Sequence, residues 1–383
     1  MHINSCVGTK LEHLTFRNNK SGVKDGAAIS IKEDQTILID NCIFEENIGN
    51  GGGVYASLSN ILIKNSIFRN NYNWGSGGAI RSSNSAFTII NTLIDNNSVG
   101  SEGGGMRLVG GSAKLIDVTI SNNQSNVVGY DTDGDGVDDV NLGNGCCGKG
   151  GGIYGDGTTF DMHNVAIIGN VSKEGGGIHF RSSAPGSYLT NVLIADNDAT
   201  YEGGGIYVSA NADNYFQNVT IVGNSAAEDE GGFKCAYYCG WDNQHFNNVI
   251  IRDNINGSNM SNDSNVPGNG GNYLYTNITY SNIQGIGDIG SNNIDVDSCI
   301  DPASDNYDIT EDSLCSNTGD PNPWYNNYPD NSRSDIGWKG GSYIEPDFYS
   351  YDFGEIGTLG SQHNLELTNS REDGSIVVID SIS

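Results

Sequence analysis

The strongest constraint on how this chain can fold is a motif, Asn-x-x-Φ-x-x-Asn with Φ apolar, that returns at near-regular spacing and is followed six residues later by glycines. One complete repeat lies between Asn191 and Asn224: Asn191, Ile194 and Asn197, then Gly203-Gly204-Gly205-Ile206, then Asn218, Ile221 and Asn224, a period of 27 residues. The motif also fits Asn41/Phe44/Asn47, Asn65/Phe68/Asn71, Asn91/Ile94/Asn97, Asn164/Ile167/Asn170 and Asn248/Ile251/Asn254. Asp117/Ile120/Asn123 is a near copy and His13/Phe16/Asn19 a worn one. The glycines keep step from Gly51 to Val54, through Gly77, Gly103, Gly150 and Gly175, to a last Gly231-Gly232-Phe233 preceded by Glu230. One coil is about 26 residues, repeated roughly ten times, and such periods belong to stacked architectures.

Each repeat carries two short runs of period-2 alternation, such as Ile206-Tyr207-Val208-Ser209 and Val219-Thr220-Ile221, separated by Gly, Asn and Asp. Such runs read as strands, and no ten-residue amphipathic helical pattern occurs. Helical repeats are thereby disfavoured, and a propeller blade needs a repeat of about 40 residues or more. A parallel β-helix remains, with coils stacked at a strand spacing of about 4.8 Å. Stacking puts Asn47, Asn71, Asn97 and Asn123 in one column of mutually bonding amides. Glycine would serve at the sharp corners, where φ turns positive and coils approach closely. Coil spacings of 24, 26 and 27 break the strict hexapeptide grid of left-handed β-helices, so the expected hand is right.

The pair Phe68-Arg69-Asn70-Asn71 and Gly77-Gly78-Ala79-Ile80 resembles the repeats of polymorphic outer-membrane proteins and related secreted right-handed β-helix proteins of bacteria. That resemblance covers about residues 10 to 255 and implies the fold; the architecture hosts adhesins and carbohydrate enzymes alike.

The composition suits one long array: 54 Gly and only 7 Pro in 383 residues. The expected organisation is a β-helix over 1–298 interrupted by a loop at 124–149, a closing segment at 299–346, and the start of another module at 347–383. That last stretch, from Asp347, resembles the opening strands of choice-of-anchor D domains, an immunoglobulin-like module that would be incomplete here. A net charge of −29 opposes nucleic acid and anionic membrane partners. No stretch is long and apolar enough for a membrane helix, and the first residues lack the apolar core of an export signal. Eight cysteines in a Gly-Asn-Asp-rich repeat point to an extracellular or outer-surface location, so the chain reads as a piece of a longer protein. Cys235/Cys239 and Cys299/Cys315 are candidate disulfides.

The gap from Asn123 to Gly150 is 27 residues where six is usual. In it, Asp131, Asp133, Asp135, the Val137 carbonyl and Asp139 take positions 1, 3, 5, 7 and 9 of an EF-hand-like loop around Gly136 at position 6. The stretch also resembles thrombospondin type 3 calcium repeats. Calcium is the expected cofactor, with Leu142 at position 12 leaving the shell to be completed by other groups.

Aligning coils on the glycines yields an outward column of Tyr55, Arg81, Arg107, Tyr154, His179, Tyr207 and Lys234, all aromatic or basic. Aromatic faces stack on sugars and cations hold carboxylates or sulfates, making this a candidate ligand surface. A purely structural reading also fits, since strands favour Tyr and cations balance acidic turns. One step before the glycines are placed Glu102, Glu174, Glu202 and Glu230, about 5 Å apart if their coils are adjacent. Paired carboxylates with His179 and Lys234 would equip a glycosidase or lyase. Yet no polygalacturonase-type signature, zinc spacing or Gly-x-Ser-x-Gly is present. Two readings follow: an adhesin or glycan-binding rod with a polysaccharide or cell-surface glycan as partner, or a β-helix polysaccharide lyase or glycoside hydrolase.

Overall fold

A computed structural model describes residues 1–4, 8–33, 36–127, 129–130, 140–141, 148–181, 186–209, 212–236, 239, 243–255, 260–262, 277–285, 290–296, 299–301, 304, 307–310, 312–327 and 332–341. The calcium-type residues Asp131, Asp133, Asp135, Val137 and Asp139, and the module at 347–383, lie outside the described residues.

Over the described residues the chain is all-β, a solenoid of parallel strands making about eight turns with almost no helix. Ten turns were expected. Pairing is in register from coil to coil: strand Ile80–Asp95 pairs with Val54–Ser57 and Asn60–Lys64 on one side and with Met106–Ser121 on the other. Strands such as Asn60–Lys64, Ile80–Asp95 and Thr159–Ile168 alternate buried with half-buried or exposed side chains along most of their length, so one side of the wall builds the core and the other faces outward.

The core consists of columns of like residues. Phe16, Phe44 and Phe68 stack with ring centroids 4.8 and 4.5 Å apart. In the following coils the same column passes through Ile94, Ile120, Ile167, Ile194, Ile221 and Ile251, and from Ile94 onward every member is fully buried. Burying a side chain of this size contributes roughly 1.5–3 kcal/mol.

The asparagine ladder runs the length of the described solenoid. Asn47 Nδ2 donates to Asn71 Oδ1 at 2.8 Å, and the same bond recurs at 2.9 Å from Asn71 to Asn97, Asn97 to Asn123, Asn123 to Asn170, Asn170 to Asn197, Asn197 to Asn224 and Asn224 to Asn254. The first asparagine of the motif has a different duty. Asn65, Asn164, Asn191 and Asn218 each adopt a φ between 51° and 55°, turning the chain from one wall to the next. At the glycine corner Gly103 takes φ 68°, and a Cβ there would meet the Met106 carbonyl oxygen at 2.3 Å.

Bonds join Cys235 to Cys239 and Cys299 to Cys315. Cys299 and Cys315 pack with Ile250 and Ile336, and Gly337 N–H donates to the Asn248 carbonyl at 2.8 Å. The described part of the closing segment therefore lies along the flank of the last coils, where Ile300, Tyr307 and Trp338 pack against Leu193, Ala195 and Val222.

Candidate functional site

The outward column exists as a register: Tyr55 pairs with Arg81, then follow Arg107, Tyr154, His179, Tyr207 and Lys234, one per coil. Its exposure is uneven. Tyr55, Arg81, Arg107 and Tyr207 are half-buried, whereas Tyr154, His179 and Lys234 are buried. Alternation says which side of a wall a residue leaves from. It does not say what closes over that side.

In the middle of the column the rungs cover one another. His179 lies between Tyr154, centroids 5.5 Å apart, and Tyr207, stacked at 4.7 Å, while the Arg107 guanidinium lies 5.7 Å from the Tyr154 ring centre. His179 Nδ1 is 3.9 Å from Glu174 Oε2, and Ser209 Oγ lies 3.4 Å from Nε2. Burial, with the nearby Lys149 charge, holds the His179 pKa well below its ordinary value, so the ring is neutral at physiological pH. Burial also pushes the Tyr154 hydroxyl up to about 12, against the Arg181 hydrogen bond at 3.1 Å.

The carboxylate row needs correction in two places. Lys149 pairs with both Glu102 and Glu174, so a cation separates those two acids and sits 3.4 Å from Glu174. Glu174 and Glu202 are direct neighbours, and the residue below Glu202 is Asp229, not Glu230. Glu230 stands one place further on, where the preceding coil has Gly203: Gly204 N–H donates to the Glu230 carbonyl as Gly176 N–H does to that of Gly203. It keeps the positive φ of that corner, 31°, a strained conformation for a residue with a side chain.

Around Glu230 a buried ion group forms. Lys234 Nζ lies 2.7 Å from Asp229 Oδ2 and 2.8 Å from Glu230 Oε2. Burial and the hydrogen bond with Asp229 push Glu230 up to about 8, overriding Lys234. Burial works against the Lys234 charge, yet the bonds to Asp229 and Glu230 hold its pKa above the ordinary value. Asp229 ends below the usual carboxylate range: burial opposes this, and hydrogen bonds with Glu230 and Lys234 prevail. At neutral pH the group holds one carboxylate, one carboxylic acid and one ammonium. Among the described residues no cluster of three or more His, Cys, Asp or Glu is arranged to hold a metal ion.

A second outward column, missed by aligning on the glycines, lies on the next wall. Aligned instead on the ladder asparagines, Lys114, Asp161, Tyr188, Tyr215 and His245 each fall nine residues earlier and pair coil to coil. Tyr188 and Tyr215 stack at 4.8 Å with planes 6° apart, and Tyr215 and His245 at 4.5 Å with planes 7° apart. Tyr188 is 51% exposed. A groove of 270 Å³ runs beside Tyr215 and His245, with Gln217, Asn247 and Thr279 opposite. Another, of 460 Å³, follows the turn asparagines Asn41, Asn65 and Asn91, where Asn91 Nδ2 already donates to Asn65 Oδ1 at 2.8 Å.

Cys42 is a free, buried thiol whose pKa burial raises, and its Sγ points at the Leu11 and Asp40 carbonyls. It has none of the environment of a nucleophile. Among the described residues no helix is long and apolar enough to cross a membrane. No family model, curated protein or solved structure matches this chain.

Proposed function

We propose that this chain is a secreted or surface-exposed bacterial rod that binds glycans without turning them over. The observation that carries the reading is the half-exposed run Tyr55, Arg81 and Arg107, held in register on one wall of a stiff solenoid. Lys32 Nζ and the Arg81 guanidinium stand 5.4 and 5.6 Å from the Tyr55 ring centre, so cations and an aromatic ring act on one patch. In a chain of net charge −29, such a patch selects carboxylated or sulfated sugars.

The alternative, a lyase or glycosidase, needs Glu174, His179, Glu202, Glu230 and Lys234 to reach a polymer. Burial of His179, Glu230 and Lys234 weighs against it. A right-handed coil, supported by the uneven spacing, calcium bound by Asp131, Asp133, Asp135, Val137 and Asp139, and an anchor-type module over 347–383 belong to the same proposal. Disulfides at Cys235/Cys239 and Cys299/Cys315 support an oxidising location outside the cytosol.

The test incubates the full chain with polygalacturonate and a neutral glucan in calcium, following both binding and new reducing ends or unsaturated uronate absorbance. Binding of the acidic polymer that weakens about tenfold in Tyr55→Ala/Arg81→Ala, without new ends, is the expected outcome. Product formation that disappears in Glu202→Gln or Lys234→Ala would replace the rod with the enzyme.

A further inference from the structure

The wall carrying Tyr188, Tyr215 and His245 is separate from the one that carries the basic stripe. Two outward rows run side by side there along the solenoid axis. One is Tyr188, Tyr215, His245 and Asn277; the other is Thr190, Gln217, Asn247 and Thr279. Between Tyr215, His245 and Asn277 of the first row and Gln217, Asn247 and Thr279 of the second lies the 270 Å³ groove, floored at Phe216 and Phe246, whose rings stack inward at 4.7 Å; Tyr188 continues the row one coil beyond it.

The two sides differ in chemistry. The first offers ring carbons, and the second offers amides and a hydroxyl, with Thr279 Oγ1 donating to Asn247 Oδ1 at 3.2 Å. A ligand filling the groove needs one apolar edge and one edge of hydrogen-bonding groups. The charges beside it are negative: Asp213 is 3.7 Å from His245 Nε2, and Asp320 accepts from Asn247 Nδ2 at 3.0 Å. Carboxylated sugars, sulfated sugars and nucleic acids are repelled by that pair. A peptide strand gains no main-chain bonds here, because strand Asn214–Val222 is already paired on both sides.

We propose that this groove is a binding site for an uncharged hexopyranose chain lying along the solenoid axis. Successive rungs repeat at about the 4.8 Å strand spacing, close to the length of one pyranose unit, so sugars over the Tyr215/Gln217 and His245/Asn247 rungs each meet one ring edge and one amide. The inference rests on the glycan-binding reading and adds a second specificity: neutral sugars on this wall, acidic sugars on the Tyr55/Arg81/Arg107 wall.

The experiment titrates the full 383-residue chain with cellohexaose, mannohexaose and oligogalacturonate by calorimetry. Its variants are Tyr188→Ala, Tyr215→Ala, Tyr215→Phe and Arg81→Ala/Arg107→Ala. Expected is binding of a neutral hexamer that weakens roughly tenfold in Tyr188→Ala and in Tyr215→Ala, survives in Tyr215→Phe and is unchanged in Arg81→Ala/Arg107→Ala. Tyr188 is exposed, so its variant tests the site even if Tyr215→Ala lowers stability. Neutral binding indifferent to both tyrosines overturns the proposal. If only oligogalacturonate binds, this site falls while the rod reading stands; if no sugar binds, both fall.

Discussion

Lys234 and Glu230 meet at 2.8 Å, yet Glu230 keeps its proton up to about pH 8. Asp229 holds the same ammonium at 2.7 Å and takes the negative charge, leaving Glu230 the neutral partner in a buried corner.

That arrangement fixes a pH dependence. The unfolded chain releases the Glu230 proton near its ordinary value of 4.5, whereas the folded chain retains it to about 8. Stability from the protonated acid is therefore complete below about pH 4.5 and is lost as pH rises toward 8, with a slope of at most about 1.4 kcal/mol per pH unit. Glu230→Gln should flatten the fall in Tm between about pH 5 and 8. Asp229 acts in the other direction and in another window: its stabilisation is lost only as pH falls below the usual carboxylate range. A variant whose Tm falls as steeply as that of the wild type would refute the assignment.

Asn123 is buried and uses its whole amide. It donates to Asn170 Oδ1 at 2.9 Å and to the Ile94 carbonyl at 3.0 Å, and it accepts from the main chain and side chain of Asn97. Asn123→Ala should cost about 3 kcal/mol or more in denaturant unfolding, because several buried groups lose partners together. Asn91→Gly, on the exposed ladder at φ 43°, which glycine adopts without strain, should cost less than about 1 kcal/mol. Equal losses would show that the inner ladder has no special role.

Much of this was readable beforehand because identical residues at identical positions must face each other once coils stack. The ladder through Asn47, Asn71, Asn97 and Asn123 and the column Phe44, Phe68, Ile94 follow from the period alone. What hid was local. Glu230-Gly231-Gly232 reads like Glu202-Gly203-Gly204, but this coil has lost one glycine, so the acid moved into the corner and Asp229 took its former rung. The burial of Tyr154, His179 and Lys234 depends on neighbours above and beside them, which alternation within one strand does not encode. The Tyr188/Tyr215/His245 wall went unseen because the loops between the glycine corner and this wall vary, placing Lys114 and Asp161 11 residues after Gly103 and Gly150 but Tyr188 13 after Gly175 and Tyr215 12 after Gly203; the ladder asparagines keep it aligned.

The Cys299–Cys315 bond closes a loop of sequence separation 16 against the flank of the solenoid. Cys299→Ser/Cys315→Ser should lower stability by about 3 kcal/mol and speed tryptic cleavage at Arg333, while leaving the coils before Asn197 protected. Cleavage at the wild-type rate would mean that packing on Ile250 and Ile336 holds the segment unaided.

Calcium should raise the Tm of the wild type and leave Asp131→Ala/Asp135→Ala unmoved. Equal responses to the ion, measured against magnesium and a chelator, would dismiss the loop as its ligand.

Asn123 and Asn170 bond at 2.9 Å although 47 positions separate them, as closely as rungs 26 or 27 apart. The rod can thus be lengthened, shortened or decorated between rungs without disturbing its spine, provided each excursion returns its next amide to the same line. Evolution of such a chain is quantised: whole windings can be duplicated or deleted and large ornaments added at a corner, while a one-residue slip displaces the side chains of its own winding, as Glu230 shows, until the next corner restores the line.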